Sequence, residues 1–548
     1  PATLFGILVV RHDRVIQARQ RIDRAATFYE KGIARLDHAW IGAGETGERF
    51  LDEAHLYAAD LDLFGRGSLF ELLCAARTSA GRAALASWLL APAAPGTIRS
   101  RQAAVRDLER RLDLREDLAV LGDDMEADAH PLELAAWSAE PRRIPARPTR
   151  AIAAVLSTLG FLAAGGWLLG FTGVLPLLVV AIAEAIFVRR ISKDVEHVVA
   201  GVERAGRELE LLSLVLERLE RERFDAPHLV ALKAALEVDG EPPSRRIARL
   251  NRLVEMLESR RNQLFAPFAA AILWTTHLAL AVEAWRERSG GAVKRWLAAA
   301  GEIEALSSLA GHAYENPECL HPEIAEGAAV FEARALGHPL LSDGACVRND
   351  VSLGEGTRVL VVSGSNMSGK STLLRSVGIN TVLALAGGKV RAASLRVSPV
   401  AIGASIRIHD SLQAGTSRFY AEITRLRLIV DLSGGSLPAL FLIDEMLHGT
   451  NSHDRRIGAE AIVRGLSARR SIGLITTHDL ALAHIADVPA HAARNVHFED
   501  HIEGGKITFD YVMRDGVVTK SNGLALMRAV GLDVEETPDP RGMRRSAS

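Results

Sequence analysis

A chain of 548 residues has room for two to four domains, and its 48% hydrophobic content supplies sizeable cores, which excludes a largely disordered protein. The 65 Lys and Arg residues against 67 Asp and Glu leave a net charge of -2, so there is no global basic field for a polyanion and any nucleic-acid contact must be local. Cys74, Cys319 and Cys346 are far apart and in no metal-ligand spacing, which fits small buried residues in a reducing compartment rather than disulfides.

Residues 1–10, where "TLFGILVV" runs into Arg11 and Arg14, are expected to form the end of a membrane span. Residues 11–140 are expected to be helical. Within them, 11–40 and 98–123 mix Arg, Glu, Ala and Leu at helical spacing, as long packed helices do. Pro-rich "AEPRRIPARPTR" (139–150) is a linker. Ala151 to Ala183 then gives 33 residues without a charge, more than the roughly 20 that a membrane-spanning helix needs. The turn-forming Gly170-Phe171-Thr172-Gly173, with Pro176 beyond, divides it into spans 151–169 and 174–188, a transmembrane hairpin over 151–188. Arg142, Arg143, Arg147 and Arg150 precede it, and Arg189, Arg190 and Lys193 follow, which predicts a membrane anchor with both ends and the remaining domains in the cytoplasm. The alternative is an apolar hairpin buried in a protein core, which the shortness of the second span and Glu184 near its end favour.

Residues 189–315 form a helical lever region, clearest at 192–222 and 244–262, with "DGEPPS" (239–244) as a turn. Leu264 to Val282 is uncharged over 19 residues but contains Pro267, Thr275, Thr276 and His277, and is expected to be a buried core helix. From residue 322 to 535 apolar strands ("RVLVVSG", "LPALFLIDE", "SIGLITTHD") alternate with helices, the doubly wound α/β pattern, and 536–548 is a tail.

The chemistry concentrates in this last region. Gly364, Ser365, Asn366, Met367, Ser368, Gly369, Lys370 and Ser371 fit the phosphate-loop pattern, between a β-branched strand and the helical "KSTLLRSVGINTVLALAG". Backbone N–H groups from Ser365 to Lys370 suit phosphate oxygens at a helix N-terminus, Lys370 suits the β- and γ-phosphates of ATP, and the Ser371 hydroxyl, followed by Thr372, suits Mg2+. The strand "ALFLIDE" ends in Asp444, expected to hold the metal through water, and Glu445, placed to orient or deprotonate the attacking water. A third strand ends in His478, within reach of the γ-phosphate.

"SGSNMSGKST", "AGTSRFYAEITRL" (414–426), "IDEMLHGTNSHD" (443–454), "TTHD" (476–479) and "RDGVVTKSNGLALMRAVGL" (514–532) together resemble, in the same order, the ATPase domain of the MutS family of DNA mismatch-repair proteins. "DLDLFGRGSLFELLCAARTSAGRAALASWLLAP" (60–92) looks like that family's core lever domain, and "EARALGHPLL" (332–341) like the lead-in to its ATPase. The resemblance implies an α-helical lever/core domain followed by an α/β P-loop ATPase domain of the ABC type, here with an inserted transmembrane helical hairpin. It also implies a homodimer through the ATPase domains, with DNA as a partner and the lipid bilayer added by the hairpin.

Residue by residue, the resemblance implies that Ser417, with Phe419 and Glu422, reaches in trans to the partner's γ-phosphate. Gly449, Thr450, Asn451 and Asp454 match the dimer loop that links the two sites, and Tyr511 falls where the family sets an aromatic residue or histidine against adenine, with a strand-core role as its alternative. The family's mismatch-reading module finds no room before the lever motif near residue 60, so direct mismatch recognition is not expected. Phe28-Tyr29-Glu30 lies in a charged helix and is no substitute for that module's wedge. "DLSGGS" (431–436) imitates the signature of transporter ATPases, but Leu437-Pro438 leads straight into a strand, so it is a Gly-rich turn. The competing functions are a transporter-type membrane ATPase and a membrane scaffold with a regulatory ATPase and no DNA role.

Overall fold

The computed structural model describes residues 2–121, 131–237, 240–262, 265–407, 418–447, 450–478, 483, 486, 488, 491–503 and 506–518. The chain divides into two compact units. One comprises residues 1–37, 73–87 and 103–315, the other 38–72, 88–102 and 316–548.

The described part of the first unit is helical. Its longest helix, Leu175–Arg221, carries Val195, Val198, Val199, Val202, Leu209, Leu212, Leu216 and Leu219 buried at steps of three, four and seven, the spacing that puts a stripe on one helix face. That stripe packs against helices Pro243–Glu258 and Trp274–Glu315. The indole N–H groups of Trp285 and Trp296 donate to the carbonyls of Arg246 (2.7 Å) and Leu236 (3.0 Å), which satisfies the polar end of each buried ring. Two buried carboxylates fix the start of helix Ser79–Leu90. Glu304 accepts from the N–H groups of Arg77 (2.8 Å) and Thr78 (3.2 Å) and from the Thr78 hydroxyl, and Glu208 accepts from the Ser79 hydroxyl at 2.5 Å. Gly301 permits this approach, since a Cβ there would lie 2.8 Å from the backbone of Ala80. Burial raises the affinity of both carboxyls for protons, against the donors that favour the charged form.

The apolar segment forms two helices, but not with the expected bounds. The first is Ala146–Leu168, and its last turn closes through Phe171 N–H to the Gly166 carbonyl (2.8 Å), with Gly170 at φ 75°. The second does not stop near 188. It continues through Arg189 and Arg190 as the 47-residue helix Leu175–Arg221, because the sequence changes polarity there without a helix breaker. Phe161, Leu162, Leu168, Phe171, Leu175, Ile182 and Ile186 are all exposed. By length and composition, Arg147–Leu168, with mean hydropathy 1.8, is the one helix long and apolar enough to cross a membrane among the described residues. Residues 2–10 belong to the continuous helix Ala2–Leu36. The segment 264–282 is not one helix: Ala266–Ala271 and Trp274–Glu315 meet at Leu273 with φ 48°, and Leu278, Ala279, Leu280 and Val282 are buried, as a core helix requires.

The described residues of the second unit form ten strands: β1 (Glu323–Ile324), β2 (Phe331–Leu336), β3 (Asn349–Leu353), β4 (Val359–Ser363), β5 (Ser394–Val397), β6 (Ala401–Ser405), β7 (Ala439–Ile443), β8 (Ser471–Thr477), β9 (Ala493–Glu503) and β10 (Lys506–Asp515). One sheet has the order β1-β5-β2-β3, the other β10-β9-β4-β8-β7-β6. In the second, β9, β4, β8, β7 and β6 are parallel and β10 is antiparallel to β9. Every residue of β4, β7 and β8 is buried, so these strands read as unbroken apolar runs, as parallel strands covered on both faces do. Helix Lys370–Ala386 follows β4, and helix Arg418–Leu432 is separated from β7 by the Ser433–Ser436 turn, where the sequence placed a Gly-rich turn.

Candidate functional site

Parallel strands converge their C-terminal ends on one edge, where loops carry polar groups outside an apolar sheet. At that edge β4 leads into Gly364 (φ 150°), Met367 (φ 70°) and Gly369 (φ 104°), and the helix begins at Lys370. Gly369 is needed twice. Its left-handed backbone disfavours a side chain, and a Cβ would stand 3.1 Å from the Tyr511 ring. The buried Lys370 ammonium donates to the carbonyls of Gly364 (2.9 Å) and Ser365 (2.7 Å) and lies 3.9 Å from Glu445 Oε1. Burial lowers its pKa, while Glu445 and Asp444 oppose that shift.

The end of β7 supplies both acids, and β8 supplies a hydroxyl that fixes them. Ser371 Oγ donates to Asp444 Oδ2 at 2.5 Å, the Thr476 hydroxyl donates to Asp444 Oδ1, and Thr476 Oγ1 accepts from Glu445 N–H at 3.0 Å. Asp444 N–H donates to the Ser405 carbonyl at 2.9 Å. Glu445 adopts φ 47°, a conformation uncommon outside glycine, and its Oε1 lies 3.4 Å from His478 Nδ1. Leu447 N–H donates to the buried Glu422 carboxylate.

A cavity of about 850 Å³ is lined by Asn366, Met367, Gly369, Lys370, Ser371, Thr372, Asp444, Glu445 and Tyr511, together with Leu336, His338, Leu341 and Val347. That volume is ample for a small-molecule or cofactor ligand. The Oγ atoms of Ser365 and Ser368 are buried and make no hydrogen bond among the described residues, which fits a loop shaped for a ligand rich in acceptors.

The structure thus brings together Gly364 through Thr372, Asp444, Glu445, His478 and Tyr511, although His478 stands beside Glu445 rather than on the cavity wall. Ser417 and Gly449 lie outside the described residues, as do residues 519–532 of the last motif. Asn451 caps helix Ser452–Ser467, accepting from Asp454 N–H at 2.9 Å, a local role the motif alone did not reveal. Thr476, Ser405 and His338 had no role assigned from sequence. Thr476 reaches Asp444 through strand register: β7 and β8 pair Ile443 with Ile475, so the next residues, Asp444 and Thr476, are neighbours.

A strand, a glycine-punctuated loop and a helix thus stand beside two consecutive acids at the end of β7, an arrangement that suits a phosphate-bearing ligand. Residues 360–537 match the family model of MutS domain V, which supports membership of the MutS family. Domain V is the ATPase domain of that family, which supports ATP binding and hydrolysis in general terms.

His338 gives the site an acid limit. Leu340 N–H donates to its Nδ1 at 3.2 Å, which selects the neutral ring, and burial, with Arg375 and Arg391 nearby, lowers its pKa from 6.5 to about 4. The unfolded ring takes a proton near 6.5 and the folded one only near 4, so stability is complete above that window and falls as pH drops through it. We expect a loss of at most about 3 kcal/mol from this group. Urea unfolding at pH 7 and pH 5 should show a smaller acid loss for His338→Leu than for the parent chain. Equal losses in both would remove His338 from the account.

Proposed function

We propose that the chain is a magnesium-dependent ATPase of the MutS type, working as a homodimer on DNA and anchored to a membrane. The observation that carries the chemistry is the convergence of Lys370, Asp444 and Glu445 on one cavity at the sheet edge. Lys370 holds the β- and γ-phosphates, releasing the loop carbonyls it now contacts. Glu445, with His478 beside it, orients the attacking water and takes up its proton, while Thr476 fixes Asp444 and the Glu445 backbone. The Ser371 hydroxyl and the Asp444 carboxylate to which it donates would hold magnesium, which would supply positive charge against the phosphates. Tyr511 packs against the base. Ser417 completes the partner's site, and the dimer loop around Asn451 joins the two, so that ATP links the subunits and hydrolysis loosens them. DNA enters through family membership, and no mismatch-reading role is assigned.

Lys370→Ala should abolish nucleotide binding, measured by fluorescent-nucleotide titration. Glu445→Gln should bind ATP but hydrolyse it about 10²-fold or more slowly. Equal loss of binding in both variants would contradict these roles.

Mixing Ser417→Ala chains with Lys370→Ala chains should rebuild one intact composite site per heterodimer and give partial ATPase activity. If verified heterodimers show no activity above the separate variants, the site is complete within one subunit.

The membrane proposal rests on the exposed apolar surface of residues 151–186, including Phe161, Leu168, Phe171 and Ile186, which lies between arginine-bearing flanks. The protein should stay with membranes after alkaline carbonate washing, and replacing residues 151–188 with a short polar linker should release a soluble ATPase. Recovery of the intact chain in the wash would instead assign the hairpin to a protein interface.

A further inference from the structure

Tyr511 holds a backbone conformation that its own sequence does not favour. Between Phe509 and Met513 the ladder with β9 slips, with Phe509 opposite Asp500 and Met513 opposite Phe498, so three residues of β10 face the single residue Glu499. Within this bulge Tyr511 has φ 56°, rare for an aromatic residue, and its ring turns toward Gly369 and the cavity. The backbone groups that regular pairing would satisfy are taken over by side chains. Asn349, the first residue of β3, donates from Nδ2 to the Tyr511 carbonyl at 3.0 Å and accepts at Oδ1 from Met513 N–H at 2.7 Å. On the other side Asp510 Oδ1 accepts from Val512 N–H at 3.0 Å, while Arg514 donates to Asp510 Oδ2 at 2.5 Å and to the Val512 carbonyl at 3.0 Å. β3 and β10 are edge strands of two different sheets, and Asn349 imitates one rung of a ladder between them.

We propose that Asn349 is the positioning residue for the base side of the nucleotide cavity. By fixing the bulge it aims the Tyr511 ring, and so sets affinity for the nucleoside rather than for the phosphate chain. This rests on the proposed ATP site. Asn349 itself lines the cavity, but its amide is committed to the Tyr511 and Met513 backbone, so it governs fit without acting on the phosphates.

The test uses the full chain and compares binding of ATP, ADP and inorganic tripolyphosphate, which lacks a base. Asn349→Ala should weaken ATP and ADP about tenfold, equivalent to about 1.4 kcal/mol, leave tripolyphosphate unchanged, and raise KM with kcat at saturating ATP nearly intact. Asn349→Asp, which keeps the acceptor for Met513 but loses the donor to Tyr511, should fall between. Tyr511→Ala should reproduce the loss, and Asn349→Ala combined with it should add nothing, because both act through one ring. Unchanged ATP affinity in Asn349→Ala, additive losses in the double variant, or an equal loss of tripolyphosphate would each overturn the proposal. Failure of the parent chain to bind ATP would instead overturn the underlying site. If Asn349→Ala does not fold, the Asn349→Asp and Tyr511→Ala comparison decides the same question.

Discussion

Much of the second unit is arranged around a buried ammonium. Taking Lys370 out of water is costly unless donors and charges are matched, and the chain answers with two loop carbonyls and two carboxylates. The carbonyls exist in the right direction because Gly364 and Gly369 bend the loop back over the helix start. The carboxylates arrive from β7, whose end is fixed by hydroxyls from the helix and from β8, and by backbone pairing with β6. Four strands and a helix are thereby tied to a single cation, and binding a polyphosphate means exchanging one set of its partners for another.

Such an arrangement was partly legible in the sequence. β4, β7 and β8 announce themselves as apolar runs because both faces of a parallel sheet are covered, and the loop and the Asp444-Glu445 pair follow from them directly. The four-stranded sheet was not foreseen. β1 has two residues, β5 has four, and β2 exposes Glu332 and Arg334 between buried neighbours, so each is too short or too mixed to stand out. Contacts set by strand register, such as Thr476 with Asp444, appear only when the sheet is assembled. The backbone strain at Glu445 and Tyr511 is likewise invisible in residue type, since neither residue prefers a positive φ.

The first unit shows a different kind of illegibility. Polarity changes sharply at Arg189, and a change in polarity looks like the end of an element, yet helix formation responds to propensity and breakers rather than to charge. The break at Leu273 is the converse. An apolar stretch without an internal glycine is divided by a leucine in the left-handed region, while the only proline, Pro267, sits harmlessly in the first turn.

The uninterrupted helix Leu175–Arg221 also fixes a phase relation. Its C-terminal part, from Val195, presents apolar residues inward along one stripe, and its N-terminal part, to Val188, presents them outward, on a rod of about 70 Å at 1.5 Å per residue. With 3.6 residues per turn, one residue inserted between Val188 and Val195 would rotate one end against the other by about 100°. The compass bearing of the exposed apolar surface is therefore written into the count of residues between the two stripes, and evolution can lengthen this helix by whole turns more readily than by single positions.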